Sequence, residues 1–205
     1  MLLTGLISLI PIIGQMVLLG WMLAALDNLR AGRQELPEAG FSYIGRGFRL
    51  FVVQLVYGLV IGVLASVVLL IGFGLLAAGS NEGSTAALAT TFGGLIVAVG
   101  YLITFALAAC YYLLMPVIVL RTDRGGIGGG LNVAAVVADA VRLPGPTLLA
   151  GLLTYVGILI AGVGAILCGI GIVLTTAYGY SVVAGVVRFY EQQLPGQGAP
   201  SPPTA

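Results

Sequence analysis

From Leu50 to Leu120 a single charged residue, Glu82, interrupts the chain, and from Leu143 to Val187 there is none. A water-soluble domain must place polar side chains over much of its surface, so uncharged runs of this length predict lipid as the solvent. A helix needs about 20 residues, at 1.5 Å each, to cross a hydrocarbon core of about 30 Å. Met1–Leu26 supplies one such block, and Phe48–Ala78 and Ala86–Leu120 supply two more with residues to spare. Thr147–Val187 is about twice the length one crossing requires. It therefore predicts a helical hairpin that reverses at Cys168-Gly169-Ile170-Gly171, where two glycines permit a tight turn. The fold class expected is all-α: a polytopic transmembrane bundle of about five crossings, near residues 2–26, 50–76, 90–118, 147–168 and 171–188. Residues 1–190 form one integral membrane domain in this reading, and 191–205 a disordered tail rich in Pro and Gly.

The connections divide into two kinds. Arg30, Arg33, Arg46 and Arg49 crowd the first, and Arg121, Arg124 and Arg142 the third. Gly79–Thr85 has no arginine and carries Glu82, the turn at Gly169 has no charge, and Arg188 opens the tail. Cationic loops stay on the cytoplasmic side of a membrane, so this alternation predicts cytoplasmic loops one and three and a cytoplasmic tail. The seven loop arginines are the candidate topology and lipid-headgroup residues, and the cell membrane is the expected location.

The first segment leaves two readings open. Pro11 removes a backbone donor and Gly14 loosens the helix near its middle, so Met1–Leu26 is either a kinked crossing or a broken, re-entrant one. A five-crossing chain has its N-terminus outside; a re-entrant first segment puts both ends in the cytoplasm. The segment lacks a basic start and a small-residue cleavage site, which predicts a retained helix, not a signal peptide. Because the chain opens directly in this block, an N-terminal extension is expected in the native protein.

Between the blocks, Gly32 is placed to end the first helix, and Pro37-Glu38 suits the first turn of the next. Phe41, Ile44 and Phe48 share a helical face while Arg46 and Arg49 reach toward headgroups: an interfacial ramp, with an anionic-lipid or partner site as the alternative. Gly125-Gly126-Ile127-Gly128-Gly129-Gly130 is expected to be a flexible hinge. It lacks the lysine and spacing of a phosphate loop. Asn132, Ala135, Asp139 and Arg142 line one face of a short amphipathic helix at the cytoplasmic surface, with Asp139 and Arg142 paired at i,i+3 and Pro144 and Pro146 following.

Composition narrows the chemistry. The 205 residues are 60% hydrophobic, the mean hydropathy is +1.14, and the net charge is +1, so nothing points to nucleic acid. All eight basic residues are arginine, and there is no histidine, which excludes Ser-His-Asp and Cys-His catalysis within this chain. Cys110 and Cys168 lie in apolar stretches and are expected to be buried thiols, with no CxxC pair. No catalytic, cofactor-binding or metal-binding residue is predicted, and no cofactor. The helix-break positions are Pro11, Gly14, Gly169 and Gly171.

The predicted crossings hold no ionised side chain, unlike most ion-coupled pumps. Gln15 and Gln54 are candidates to bridge helices through hydrogen bonds, and Tyr111, Tyr112, Tyr178 and Tyr180 partly fit an interfacial belt. Gly58–Gly62, Gly94–Ala98 and Gly157–Ala161 suit close helix packing within the chain.

Leu9-Ile10-Pro11-Ile12-Ile13-Gly14, Gly20-Trp21, Gly32, Glu35-Leu36-Pro37-Glu38, Phe41 and Gly47, in that order, resemble the prokaryotic membrane proteins grouped as domain of unknown function 4013. Leu167-Cys168-Gly169-Ile170-Gly171 with Thr176 and Tyr178 is similar to that family's last hairpin, so the resemblance spans roughly residues 5–190. It implies fold and location, and no activity or site residues. The function expected is that of a non-enzymatic accessory, scaffold or lipid-organising membrane protein, with membrane lipids and another membrane protein as candidate partners. The rival is a small carrier or channel for a neutral or apolar solute, suggested by glycine-loosened helices at Gly72–Gly74, Gly162–Gly164 and Gly169–Gly171.

Overall fold

The computed structural model describes residues 12–33, 35–38, 40–80, 85–166 and 170–194, with backbone alone for 160–166 and 170–174. Helix α1 spans Ile13–Arg30, a single 3-10 turn Phe41–Tyr43 leads into α2 (Ile44–Gly79), and α3 spans Ala86–Leu131. Three more helices follow: α4 (Val133–Arg142), α5 (Pro144–Ile166) and α6 (Ile170–Gln192). The described residues contain no strand, so the all-α expectation holds.

Apolar length decides which helices can span a bilayer. Phe41–Gly79 and Ala86–Leu131 are each long and apolar enough, and α4 joined to Pro144–Leu159 across a 110° bend qualifies as a third. Within the described residues α1 and the α5–α6 pair fall short of that test on their own, so length and composition support two or three crossings where five are expected. Pro11, Cys168 and Gly169 lie outside the described residues. Gly14 is buried in the first turn of α1, just after Ile12 at φ 67, and Gly171 sits in the first turn of α6.

The chain forms two compact units. The smaller, Gln54–Tyr111, is an antiparallel hairpin of α2 and α3. Glycine lets the backbones approach: a Cβ at Gly93 would stand 2.7 Å from Leu76 N, and one at Gly72 would stand 2.7 Å from Val97 Cγ2. At the hairpin's closed end Thr90 donates to the Gly79 and Ala86 carbonyls, at 3.3 and 3.0 Å, and at its open end the rings of Tyr57 and Tyr111 lie 5.8 Å apart. Outward it presents Leu59, Val63, Leu70, Phe73, Phe92, Leu102 and Phe105, all exposed. In the most apolar stretch of α2 only 6% of residues are buried within the protein. A hairpin with this surface is compatible with insertion into a membrane.

The larger unit comprises Met1–Val53 and Tyr112–Ala205. Its core takes Val17, Leu18, Trp21, Met22 and Leu26 from α1, Leu50 and Val53 from α2, Val117, Ile118 and Leu120 from α3, and Val183, Val187 and Tyr190 from α6. Gly20 and Gly47 make this possible, since a Cβ on Gly47 would collide with the Met16 carbonyl and one on Gly20 with the Tyr43 carbonyl. Helices α5 and α6 pack as an antiparallel pair, with Gly157 against Val182 and Thr147 beside Tyr190.

Local signals explain most helix ends. α1 closes on Gly32 at φ 72: Gly32 N–H bonds to Leu29 O at 3.2 Å and Arg33 N–H to Asn28 O at 2.8 Å, a Schellman motif. Pro37-Glu38 does not open a helix. Its non-helical segment is instead pinned to α1, with Trp21 Nε1 donating to Pro37 O and Asn28 Nδ2 to Glu35 O, each at 2.9 Å. α4 begins at Asn132, whose side-chain oxygen accepts from Ala135 N–H.

The glycine run expected to be a flexible hinge holds one defined break. α3 continues through it to Leu131, broken only at Gly126 (φ 63, ψ −159), a backbone conformation that favours glycine. Beyond the break the chain turns back over its own previous turn. A Cβ on Gly129 would stand 2.6 Å from Arg121 O, and one on Gly130 would meet Thr122 Oγ1. The run is thus an ordered reversal that needs glycine for contact as well as for φ. Cys110, expected to be buried, is an exposed free thiol on the outward side of the hairpin.

Candidate functional site

The arginines flanking the apolar blocks converge in the larger unit, and acidic side chains meet them. Asp27 and Arg30 stand one turn apart at the C-terminal end of α1, Arg46 at the start of α2, Asp123 and Arg124 late in α3, and Arg188 and Glu191 in the last turn of α6. Arg30 forks onto Glu191, with Nε and Nη2 both 2.9 Å from its two oxygens. Its Nη1 reaches Asp123 at 2.8 Å and Asp27 at 3.0 Å. Arg46 binds Asp123 through Nε and Nη2, the latter at 2.6 Å, and also pairs with Asp27. Arg124 and Arg188 complete the shell of Glu191 at 2.9 and 3.0 Å.

Burial raises the stakes of this pairing. The side chains of Asp123 and Glu191 are only 6% and 7% exposed, so an unpaired charge at either would be costly. Burial alone would raise the pKa of Glu191. Hydrogen bonds from Arg30, Arg124 and Arg188, with the Arg30 charge, outweigh it and hold the carboxyl down at about 2. Asp27 behaves alike: burial opposes ionisation, and Arg46 and Arg30 overcome it and lower its pKa. The Arg30 guanidinium loses some stability to burial and regains more from Glu191 and Asp123, so its pKa moves up. Carboxylates saturated by guanidinium groups are poor proton acceptors at neutral pH, so the cluster is suited to joining helices and not to acid–base work.

A smaller pair lies beside it. Arg121 holds Asp139 of α4 at 2.7 Å, while Arg142, 79% exposed, stands 3.6 Å from the same carboxylate. The expected Asp139–Arg142 contact is therefore the weaker one, because Arg121 reaches the carboxylate from α3. Arg33 and Arg49 are exposed, and no carboxylate among the described residues lies within ion-pair distance of either. Gln15 bridges helices: its Oε1 accepts from Tyr180 of α6 at 3.2 Å. Among the described residues no group of three or more His, Cys, Asp or Glu side chains is placed to hold a metal.

Two cavities open at the cluster. One, about 270 Å³, is lined by Leu23, Gly45, Arg46, Arg49, Thr122 and Asp123. The other, about 280 Å³, has Arg121, Arg124, Gly125, Gly129, Asp139 and Tyr190 in its wall. Reading arginines in sequence picks out Arg30, Arg46 and Arg124 as candidates and leaves out Arg188, Asp27, Asp123 and Glu191. The available signal was the acidic residue within three positions of an arginine at the ends of three blocks: Asp27 with Arg30, Asp123 with Arg124, Arg188 with Glu191.

With this geometry in place, the family model described as "Protein of unknown function (DUF4013)" matches residues 3–170 of the 205. The chain belongs to this family. As the resemblance implied, membership in DUF4013 brings no activity and no site residues. The match takes in α1 to α5, hence Asp27, Arg30, Arg46, Asp123 and Arg124, and ends at the first residue of α6. Arg188 and Glu191, which close the cluster in this DUF4013 protein, lie beyond it. No curated protein and no solved structure matches the sequence.

Proposed function

We propose that this is a non-enzymatic multi-pass membrane protein that acts as an accessory, scaffold or lipid-organising component. The supporting observation is the α2–α3 hairpin, whose apolar side chains face outward while the charged groups gather in the other unit and bind one another. Lipid is the solvent that makes such a surface stable, and paired charges supply interhelix rigidity instead of free catalytic groups. In this reading the chain crosses the cell membrane five times, with the arginine-rich connections and the C-terminal tail in the cytoplasm. Its partners are membrane lipids and another membrane protein.

Single cysteines at Ser84 and at Gly128, in a background lacking Cys110 and Cys168, test this topology. Labelling from opposite sides of sealed vesicles supports it, and labelling from one side breaks it. Co-purification from native membranes then tests the role: a stoichiometric protein partner is expected, and isolation with no protein partner would count against a scaffold.

A second reading, a carrier or channel for a small neutral solute, draws on Thr154. Its hydroxyl is buried in α5 and has no hydrogen-bond partner among the described residues, so a polar group on a solute admitted beside α5 would satisfy it. Solute flux through liposomes containing the purified protein, abolished by Thr154→Val, would favour this reading.

A further inference from the structure

We infer that the cleft between α1, the start of α2 and the end of α3 in the larger unit is a binding site for the phosphate of an anionic phospholipid headgroup. This rests on the membrane reading above. The cleft, about 270 Å³, is lined by Arg46 and Arg49 together with Leu23, Gly45, Thr122 and Asp123. Gly45 leaves its part of the wall open, for a Cβ there would meet nothing within 4 Å.

Charge decides the ligand class. In the adjoining cluster three carboxylates, Asp27, Asp123 and Glu191, face four guanidinium groups, those of Arg30, Arg46, Arg124 and Arg188, so the paired set already carries one positive charge. Arg49 adds a second, and it has no carboxylate within ion-pair distance among the described residues. Asp123, the acidic group in the lining, is neutralised by both Arg30 and Arg46. An anion entering the cleft thus meets an uncommitted guanidinium beside one held rigid by Asp27 and Asp123. Arg49 offers phosphate oxygens a planar fork of N–H donors, and the Arg46 guanidinium, fixed by Asp27 and Asp123, adds positive charge beside it.

The surroundings favour a lipid as the source of that phosphate. Phe41 and Phe48, 54% and 46% exposed, flank the same end of α2, and apolar rings next to arginine are the arrangement found at a headgroup boundary. A soluble phosphate would gain nothing from these rings. The second cavity is a weaker candidate, because Arg121 and Arg124 are both paired with carboxylates there.

The test uses the full-length protein in mild detergent, with native mass spectrometry of bound lipid as phosphatidylglycerol or phosphatidylcholine is added. Sodium carbonate extraction of native membranes, done in parallel, reports membrane integration independently. The wild-type protein is expected to prefer phosphatidylglycerol, and Arg49→Gln to weaken that binding about tenfold, the loss of one charge-assisted contact. Arg49→Lys is expected to keep part of the preference, and Arg33→Gln, which removes another exposed arginine outside the cleft, to keep all of it. Thermal stability of Arg49→Gln is expected to equal that of the wild type, since Arg49 has no place in the ion cluster.

Equal losses in Arg49→Gln and Arg33→Gln would overturn the site in favour of diffuse surface charge. So would displacement of the lipid by soluble glycerol phosphate at matched concentration. No preference for the anionic lipid in a carbonate-resistant wild-type protein sinks the site and leaves the membrane reading standing. A protein that carbonate extracts sinks both.

Discussion

The two units of this chain solve opposite problems with the same element. In the hairpin Gln54–Tyr111 the apolar side chains face outward, glycines bring the two helices together, and no charged residue contributes to the described packing. In the unit formed by Met1–Val53 and Tyr112–Ala205 large apolar side chains fill a core, and four arginines with four carboxylates tie helix to helix around it. Hairpin packing is close-range and uses small residues, as the proposed membrane setting requires, because lipid would give apolar surfaces no reason to hide. The larger unit has the hydrophobic effect available and spends its specificity on placing charges. Helix α2 takes part in both: Leu50 and Val53 are fully buried in the larger unit, while Leu59 and Val63 of the hairpin are more than half exposed.

The largest expected effect breaks the polar side of this contrast. Arg30→Ala leaves Glu191 and Asp123, both nearly buried, without their shared guanidinium. Arg30 is itself one-quarter exposed, so the cost lies between the surface and buried limits, roughly 2–4 kcal/mol. Equilibrium unfolding in mixed detergent measures it, and a loss below that of an exposed surface pair would show that the cluster does not hold the helices.

Next in size is glycine. Gly47→Ala drives a methyl group into the α1 backbone at Met16 and is expected to cost about 1–3 kcal/mol, the usual penalty of overpacking. Gly58→Ala in the hairpin, where a Cβ meets nothing within 4 Å, is expected to be neutral or to gain up to about 1 kcal/mol from helix propensity. Comparing the two by thermal unfolding sharpens the contrast; equal losses would abolish it.

Acid should act on the larger unit alone. Glu191 has a folded pKa near 2, below the value of about 4.3 expected in an unfolded chain. A depressed carboxylate contributes its stabilisation above the unfolded pKa and loses it as pH falls through the folded one. Stability from Glu191, and in the same direction from Asp27, is therefore constant from pH 8 to about 6 and declines from about pH 5 toward 2. Glu191→Gln should flatten that decline, and a wild-type-like slope in the variant would assign acid sensitivity elsewhere. The smallest effect concerns Cys110: it is exposed on a hairpin face that the membrane reading puts in lipid, so it should react with maleimide far more slowly in the membrane than after denaturation, and equal rates would put that face in water.

Much of the architecture was legible because it depends on neighbours in sequence. Uncharged runs located the long helices, Gly32 marked the end of α1, and the polar row from Asn132 to Arg142 marked α4. The glycine run at 125–130 was legible only in part. Composition signals freedom from steric constraint, and the ordered reversal at Gly126 appears only when Arg121 and Thr122 are brought beneath Gly129 and Gly130. Likewise Pro37 reads as a helix opener until Trp21 is found holding its carbonyl.

The charged residues divide the two kinds of information most clearly. Sequence alone determined that the protein is helical, that its long helices are apolar, and that arginines gather at their ends, because hydropathy and charge are properties of the chain itself. Tertiary structure decided that most of those arginines face carboxylates. Arg30 and Glu191 are 161 positions apart and Arg46 and Asp123 are 77 apart, and an ion pair depends on a distance of a few ångströms that no local pattern encodes. Arg49, left outside those pairs on an exposed turn of α2, kept a free charge for the same reason: its neighbours in space, not in sequence, determine what its guanidinium can bind.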